Sequence, residues 1–201
     1  MKKNLPLLAI IGLLVFTAFK FAETLPIGGV LPMADKKLLD VSGKEISMKS
    51  VVKKYGLLVM FSCNTCPYVI KNQQRTISIG DYAQKREVGV ILLNSNEAYR
   101  KDDDSFEAMK TYSAEQKYNW SYAVDKNNEV ADALGANRTP ECFLFDKNLK
   151  LVYHGAIDDN PSDASAVNRQ HLSEAINELV AGKEISVKES RSVGCSIKRN
   201  K

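Results

Sequence analysis

The chain has 201 residues, enough for one domain with appendages. Apolar residues make up 44% and charged residues 26%, which excludes a collagen-like, disordered or polytopic membrane chain. Three of the 28 basic residues, Lys2, Lys3 and Lys20, precede residue 23; the remaining 25 nearly balance 24 acidic ones, so charge offers no basic face for nucleic acid.

In chain order, residues 1–4 are short and basic, and residues 5–19 (LPLLAIIGLLVFTAF) are almost wholly apolar. That is the plan of a secretory signal, and it is short of the about 20 apolar residues a membrane span needs. No small-x-small cleavage pattern stands at Ala18 or Ala22, so an uncleaved N-terminal anchor is the alternative for residues 1–22. Either way the expectation is an exported domain, in the periplasm or cell envelope. All four cysteines follow residue 60, so they would lie where disulfides persist.

Residues 38–40 and 45–48 flank Ser42-Gly43 as a small hairpin. Residues 57–61 (LLVMF) and 88–93 (VGVILL) read as strands buried on both faces. Between them, residues 68–85 carry one helical period, and residues 104–117 carry another. A strand at 121–124 and a helix at 129–134, stopped by Gly135, come next. Strands at 141–145 and 149–154 surround Lys147-Asn148, and a helix over 167–181 stops at Gly182. This order predicts an α/β layer fold, its central mixed sheet largely parallel and edged by an antiparallel hairpin. Residues 24–182 form the domain, and 183–201 a polar tail with little to gain from burial.

The most specific local signal is Cys63-Asn64-Thr65-Cys66-Pro67, directly after a buried strand and before a helix. The C-x-x-C spacing puts two sulfurs close enough to bridge, and a helix N-terminus favours a thiolate. Cys63 is expected to carry the lowered pKa and attack, with Cys66 resolving. Pro67 suits the first helical turn, where a missing amide costs nothing. A zinc site would need two further ligands, and Cys142, Cys195, His154 and His171 are scattered. The expectation is therefore no metal and no cofactor. A second signal is Asn137-Arg138-Thr139-Pro140-Glu141, where a proline opens a buried strand and cannot serve its ladder.

The stretches FSCNTCPYV (61–69), TPECFLFD (139–146), LVYHGAIDDN (151–160) and GCSIK (194–198) resemble, in the same order, thioredoxin-fold redoxins of the AhpC/TSA-like superfamily. More narrowly, they resemble its peroxiredoxin-like 1 group. The resemblance implies a thioredoxin-like fold with an N-terminal hairpin extension and Cys63 and Cys66 as the redox pair. It also implies a cis-proline at Pro140, with the Thr139 backbone free to bind an extended substrate.

Two departures matter. Peroxiredoxins carry P-x-x-x-[TS]-x-x-C, but counting back from Cys63 gives Met60 and Gly56, and from Cys66 gives Cys63 and Val59. Thioredoxin's buried Asp, six residues before its first cysteine, is Leu57 here, which leaves Glu141 as the nearest candidate for proton handling. Cys142 reads as a small core cysteine. Cys195, in the tail, is a candidate accessory thiol, and Val193 and Ile197 beside it are apolar enough to dock a short piece on a sheet edge. Asp102-Asp103-Asp104 reads as a solvated loop with a helix cap at Asp104 or Ser105. Asp158, Asp159 and Asp163 read as turn and capping residues rather than a calcium loop.

The reading is a protein-disulfide oxidoreductase of the cell envelope, acting on a protein or small-molecule disulfide with a redox partner. A thiol-dependent peroxidase is the alternative, and a copper-binding module the more distant one.

Overall fold

The computed structural model describes residues 23–200, so the leader readings lie outside the described residues. A hairpin of β1 (Leu38–Asp40) and β2 (Glu45–Ile46) comes first, turned at Gly43 with φ +80°. Strand β3 (Gly56–Ser62) and strand β4 (Val88–Asn94) are buried along their whole length, as continuous apolar runs require. Strand β5 (Ser121–Val124) follows α3 (Phe106–Glu115), and β6 (Arg138–Thr139) follows α4 (Glu129–Leu134). Then come β7 (Glu141–Asp146), β8 (Leu151–Gly155), α5 (His171–Val180) and β9 (Cys195–Ser196).

The helical period over 68–85 is broken into α1 (Pro67–Lys71) and α2 (Gln73–Lys85). Asn72 is the cause: its side chain donates to the Tyr68 carbonyl at 2.7 Å and the Pro161 carbonyl at 3.0 Å, and its backbone sits at φ −93°, ψ 1°. A side-chain amide that bonds the backbone locally competes with the regular ladder. The last helix starts at His171 rather than 167, because Val167 is extended. Ser105 is the cap of α3, its hydroxyl accepting from the Ala108 amide.

The main sheet has the order β2-β1-β5-β4-β3-β7-β8. Only the pairs β3–β4 and β4–β5 are parallel. The pairs β1–β2, β1–β5, β3–β7 and β7–β8 are antiparallel, so the sheet is mixed but not largely parallel. Helices join β3 to β4 and β4 to β5 as parallel crossovers, and α4 leads from β5 across the sheet to the antiparallel β7. The flanking strands arrive by hairpins or insert against the grain, which periodicity alone does not reveal.

Alternation along β3 and β7 sends side chains to two cores. Leu58, Met60, Cys142 and Leu144 pack under α2 and α5 with Ile79, Leu172 and Ile176. Leu57, Val59, Phe61, Phe143 and Phe145 face α4 with Val130 and Leu134. Each fully buried Leu, Val or Phe contributes about 1.5–3 kcal/mol.

Residues 183–200 are docked, against the expectation of an unrewarded tail. Ile185 joins the first core and Ile197 the second. Lys188 and Ser190 bond the backbone of His154 on β8, and β9 pairs with β6. Two buried apolar side chains and a run of backbone hydrogen bonds suffice where composition showed little.

Candidate redox site

The site forms where β3 runs out. Cys63, Asn64 and Thr65 make the turn, Cys66 is the extended residue capping α1 (φ −65°, ψ 124°), and Pro67 is the first helical residue. Asn64 pins the turn: its amide donates to Asp104 Oδ1 at 2.9 Å and its Nδ2 to the Asp103 carbonyl at 2.8 Å. The Tyr122 hydroxyl donates to Asn64 Oδ1 at 2.9 Å. Asp104 itself is fully buried, taking Asn94 Nδ2 at 2.7 Å and Asn96 Nδ2 at 2.8 Å. Only Asp102 and Asp103 of the acidic triplet are exposed, so the solvated-loop reading fails at Asp104. The role of this carboxylate is not legible in the sequence, because its partners come from β3's end and β4's end.

Both thiols of the pair are buried and pack in one small cluster. Cys63 Sγ lies 3.4 Å from Thr139 Oγ1. Cys66 Sγ lies 3.4 Å from the Thr139 carbonyl oxygen and 2.6 Å from Cys195 Sγ. Cys66 is pulled down to about 4, first by the hydrogen bond from Cys63, against burial, and with help from Cys195 and the Val69 amide. Cys63 is pushed up, first by that same bond to Cys66, then by burial, with the nearby Asp104 charge adding to it. The helix starts after Cys66, not after Cys63, so the helical amides serve Cys66.

The Thr139–Pro140 bond is cis, as the resemblance implies. The Thr139 backbone is not free, however: it pairs with Cys195 in an antiparallel bridge. Glu141 is buried and fully committed. Its Oε2 accepts from the Asn137 and Arg138 amides at 2.9 and 3.0 Å, and its Oε1 meets His154 Nε2 at 2.8 Å. It holds the loop that presents Pro140. His154, its ring tilted against Phe143, is thereby occupied too. Cys142 lies in the first core, its thiol pushed up by burial, as a core cysteine should be. Asp158 binds Arg75 at 2.7 Å, Asp159 accepts from Asn168, and Asp163 caps the turn at Ser165. Among the described residues no three metal-ligating side chains come together.

The AhpC/TSA family matches residues 30–154, more than half of the chain. The chain belongs to the AhpC/TSA family. It is a thioredoxin-fold redoxin, and the matched span holds Cys63, Cys66, Asp104, Pro140 and Glu141 but not Cys195. No curated protein matches the chain. Among solved structures, an uncharacterized conserved protein from Geobacillus kaustophilus is 32% identical. That match covers 88% of this chain and 94% of that one, with a TM-score of 0.82. A hypothetical protein from Sinorhizobium meliloti 1021 is 27% identical over 89% of this chain and 97% of that one, with a TM-score of 0.78. At 14% identity, the C47S mutant of PrxQ from Xylella fastidiosa shares the fold: 80% of this chain and 98% of that one, TM-score 0.57. In this AhpC/TSA member three thiols, Cys63, Cys66 and Cys195, pack in one cluster.

Proposed function

We propose that the protein is a thiol–disulfide oxidoreductase working through the Cys63–Cys66 dithiol. The observation that carries this reading is the packing of the Cys63 and Cys66 thiols together at the start of α1, both 3.4 Å from Thr139 in the cis-proline loop. The charge of the reduced pair sits on Cys66, so Cys66 attacks the substrate disulfide and the departing substrate sulfur takes up a proton. A mixed disulfide to Cys66 results. Cys63, once deprotonated, attacks Cys66 Sγ, closes the Cys63–Cys66 disulfide and releases the second substrate sulfur as a thiol. Run backwards, the same steps oxidise a dithiol, and the direction follows the reduction potentials of the partners. The Thr and Pro of a peroxide-binding loop have no counterpart before either cysteine, which favours disulfides over peroxides as substrates.

The test compares insulin-disulfide reduction with peroxide consumption, and traps mixed disulfides in variants that also carry Cys195→Ser, which removes the thiol 2.6 Å from Cys66. In that background Cys63→Ser should accumulate substrate on Cys66, and Cys66→Ser should accumulate none. Accumulation on Cys63 instead would reverse the two roles, and peroxide turnover outpacing insulin reduction would replace the reading with a peroxidase. We place the reaction in the cell envelope on the basic start and apolar run of residues 1–19. A reporter fused to that leader should leave the cytoplasm; a soluble cytoplasmic reporter would sink the placement.

A further inference from the structure

Cys195 lies outside the segment that matches the family, yet its sulfur is at 2.6 Å from Cys66 Sγ. Three independent features put it there. Cys195 pairs with Thr139 and Ser196 with Arg138, so β9 takes the backbone edge beside the cis-proline, where an extended substrate would pair. Gly194 permits the approach: a Cβ there would stand 2.1 Å from the Thr139 carbonyl oxygen, closer than any side chain tolerates. The segment is also tied on both sides. Upstream, the His154 amide donates to the Lys188 carbonyl at 2.9 Å and the Ser190 amide to the His154 carbonyl at 3.0 Å. Downstream, the Ile197 amide donates to the Asn137 carbonyl at 3.0 Å and the Lys198 amide to Asn96 Oδ1 at 2.9 Å.

We infer that residues 193–197 are a tethered substrate strand and that Cys195 is a third exchange thiol of the same site. The inference rests on the dithiol exchange proposed above. Burial and the neighbouring Cys66 both hold the Cys195 thiol up; once the Cys63–Cys66 disulfide has formed, the second of these causes is gone. The Cys195 thiolate then attacks Cys66 Sγ, the Cys63–Cys66 bond breaks, and Cys63 leaves as a thiolate that takes up the proton Cys195 gave up. The product is a Cys66–Cys195 disulfide with Cys63 reduced. No external electrons are needed, because the step only moves the disulfide. A bond of about 2.05 Å requires the two sulfurs to close by only a fraction of an ångström. An external substrate must lift this strand from Thr139 before it can pair there, so the tail competes with substrates as well as exchanging with the site.

The experiment oxidises the full chain and Cys63→Ser with limiting oxidised glutathione and maps the linkages by mass spectrometry of unreduced peptides. A Cys66–Cys195 peptide is expected in both, and as the main linkage in Cys63→Ser. Its absence from both would overturn the inference. Gly194→Val, added to Cys63→Ser, should cut that linkage by at least about tenfold, since the strand no longer fits; an unchanged yield would show that docking does not present the thiol and would also overturn it. Insulin reduction is measured separately and should run faster in Cys195→Ser, because the competing strand has lost its covalent hold. Insulin reduction intact without the Cys66–Cys195 linkage sinks this inference alone. The linkage formed without any insulin reduction supports Cys195 as an exchange thiol and sinks the substrate reading instead.

Discussion

Cys66 and Cys142 are both buried, and both stand close to strand β3, yet they are opposite kinds of thiol. Cys142 projects from β7 into an apolar core of Leu58, Met60, Leu144 and Tyr153, with its ionised form opposed by burial. Cys66 has the Cys63 and Cys195 thiols and the Val69 amide beside it, and these draw its pKa down. Low exposure therefore says little about reactivity. The count of donors aimed at the sulfur decides whether burial silences a thiol or sharpens it.

The comparison breaks most visibly at Cys66 itself. Cys66→Ser should lower disulfide exchange by more than about 10³-fold, because a hydroxyl neither ionises nor forms the mixed disulfide. Insulin turnover measures it, and residual activity within tenfold of the parent would mean that Cys63 carries the cycle alone.

Alkylation of the reduced protein by iodoacetamide separates the two thiols next. A group whose pKa lies near 4 is almost wholly ionised at pH 5 and stays so to pH 8, so Cys66 labelling should be nearly flat across that range. An ordinary thiol, with a pKa of about 8.5, gains roughly 10²-fold or more in thiolate over the same interval. Mapping the first label to Cys66 at pH 5–6 is the expected outcome; first labelling at Cys63 would contradict the charge order.

Asp104 sharpens the contrast from outside the pair. Asp104→Asn keeps an acceptor for the Asn64 amide but removes a negative charge that opposes Cys63 ionisation. The Cys63 pKa should therefore fall, and the proton shared by the pair should move towards Cys66. A slower exchange by about tenfold is expected, together with Cys63 labelling that begins at lower pH. A fall in rate with an unmoved labelling profile would leave Asp104 a purely structural role.

Cys142→Ser gives the smallest change in activity and a clear change in stability. It buries a hydroxyl among apolar side chains, at a cost of about 1–3 kcal/mol, while exchange kinetics remain those of the parent. Urea unfolding of both proteins measures the cost, and a matching loss of insulin turnover would join Cys142 to the site.

Much of the fold and part of the site are legible in the amino-acid sequence. Continuous apolar runs announce β3 and β4, Gly135 announces the end of α4, and Ser105 is one of two capping candidates for α3. The C-x-x-C pair and Pro140 stand out by spacing and resemblance, because local motifs carry their own geometry. Asn72 escapes as a helix break because its second partner, Pro161, lies far along the chain. Glu141 reads as a proton handler because nothing nearby in sequence shows His154 waiting to bind it.

The sequence by itself determined that strands and helices alternate, that two cysteines stand a helical turn apart, and that a proline opens a buried strand. These depend on neighbours within a few residues, where period and propensity act. Only the tertiary structure decided that Thr139 meets both thiols of the pair, that Asp104 is buried beneath the turn, and that Cys195 reaches Cys66. Each of those follows from atoms brought together across tens of residues. A hydrogen bond or a lost hydration shell is set by what the fold places at the sulfur, not by what precedes it in the chain.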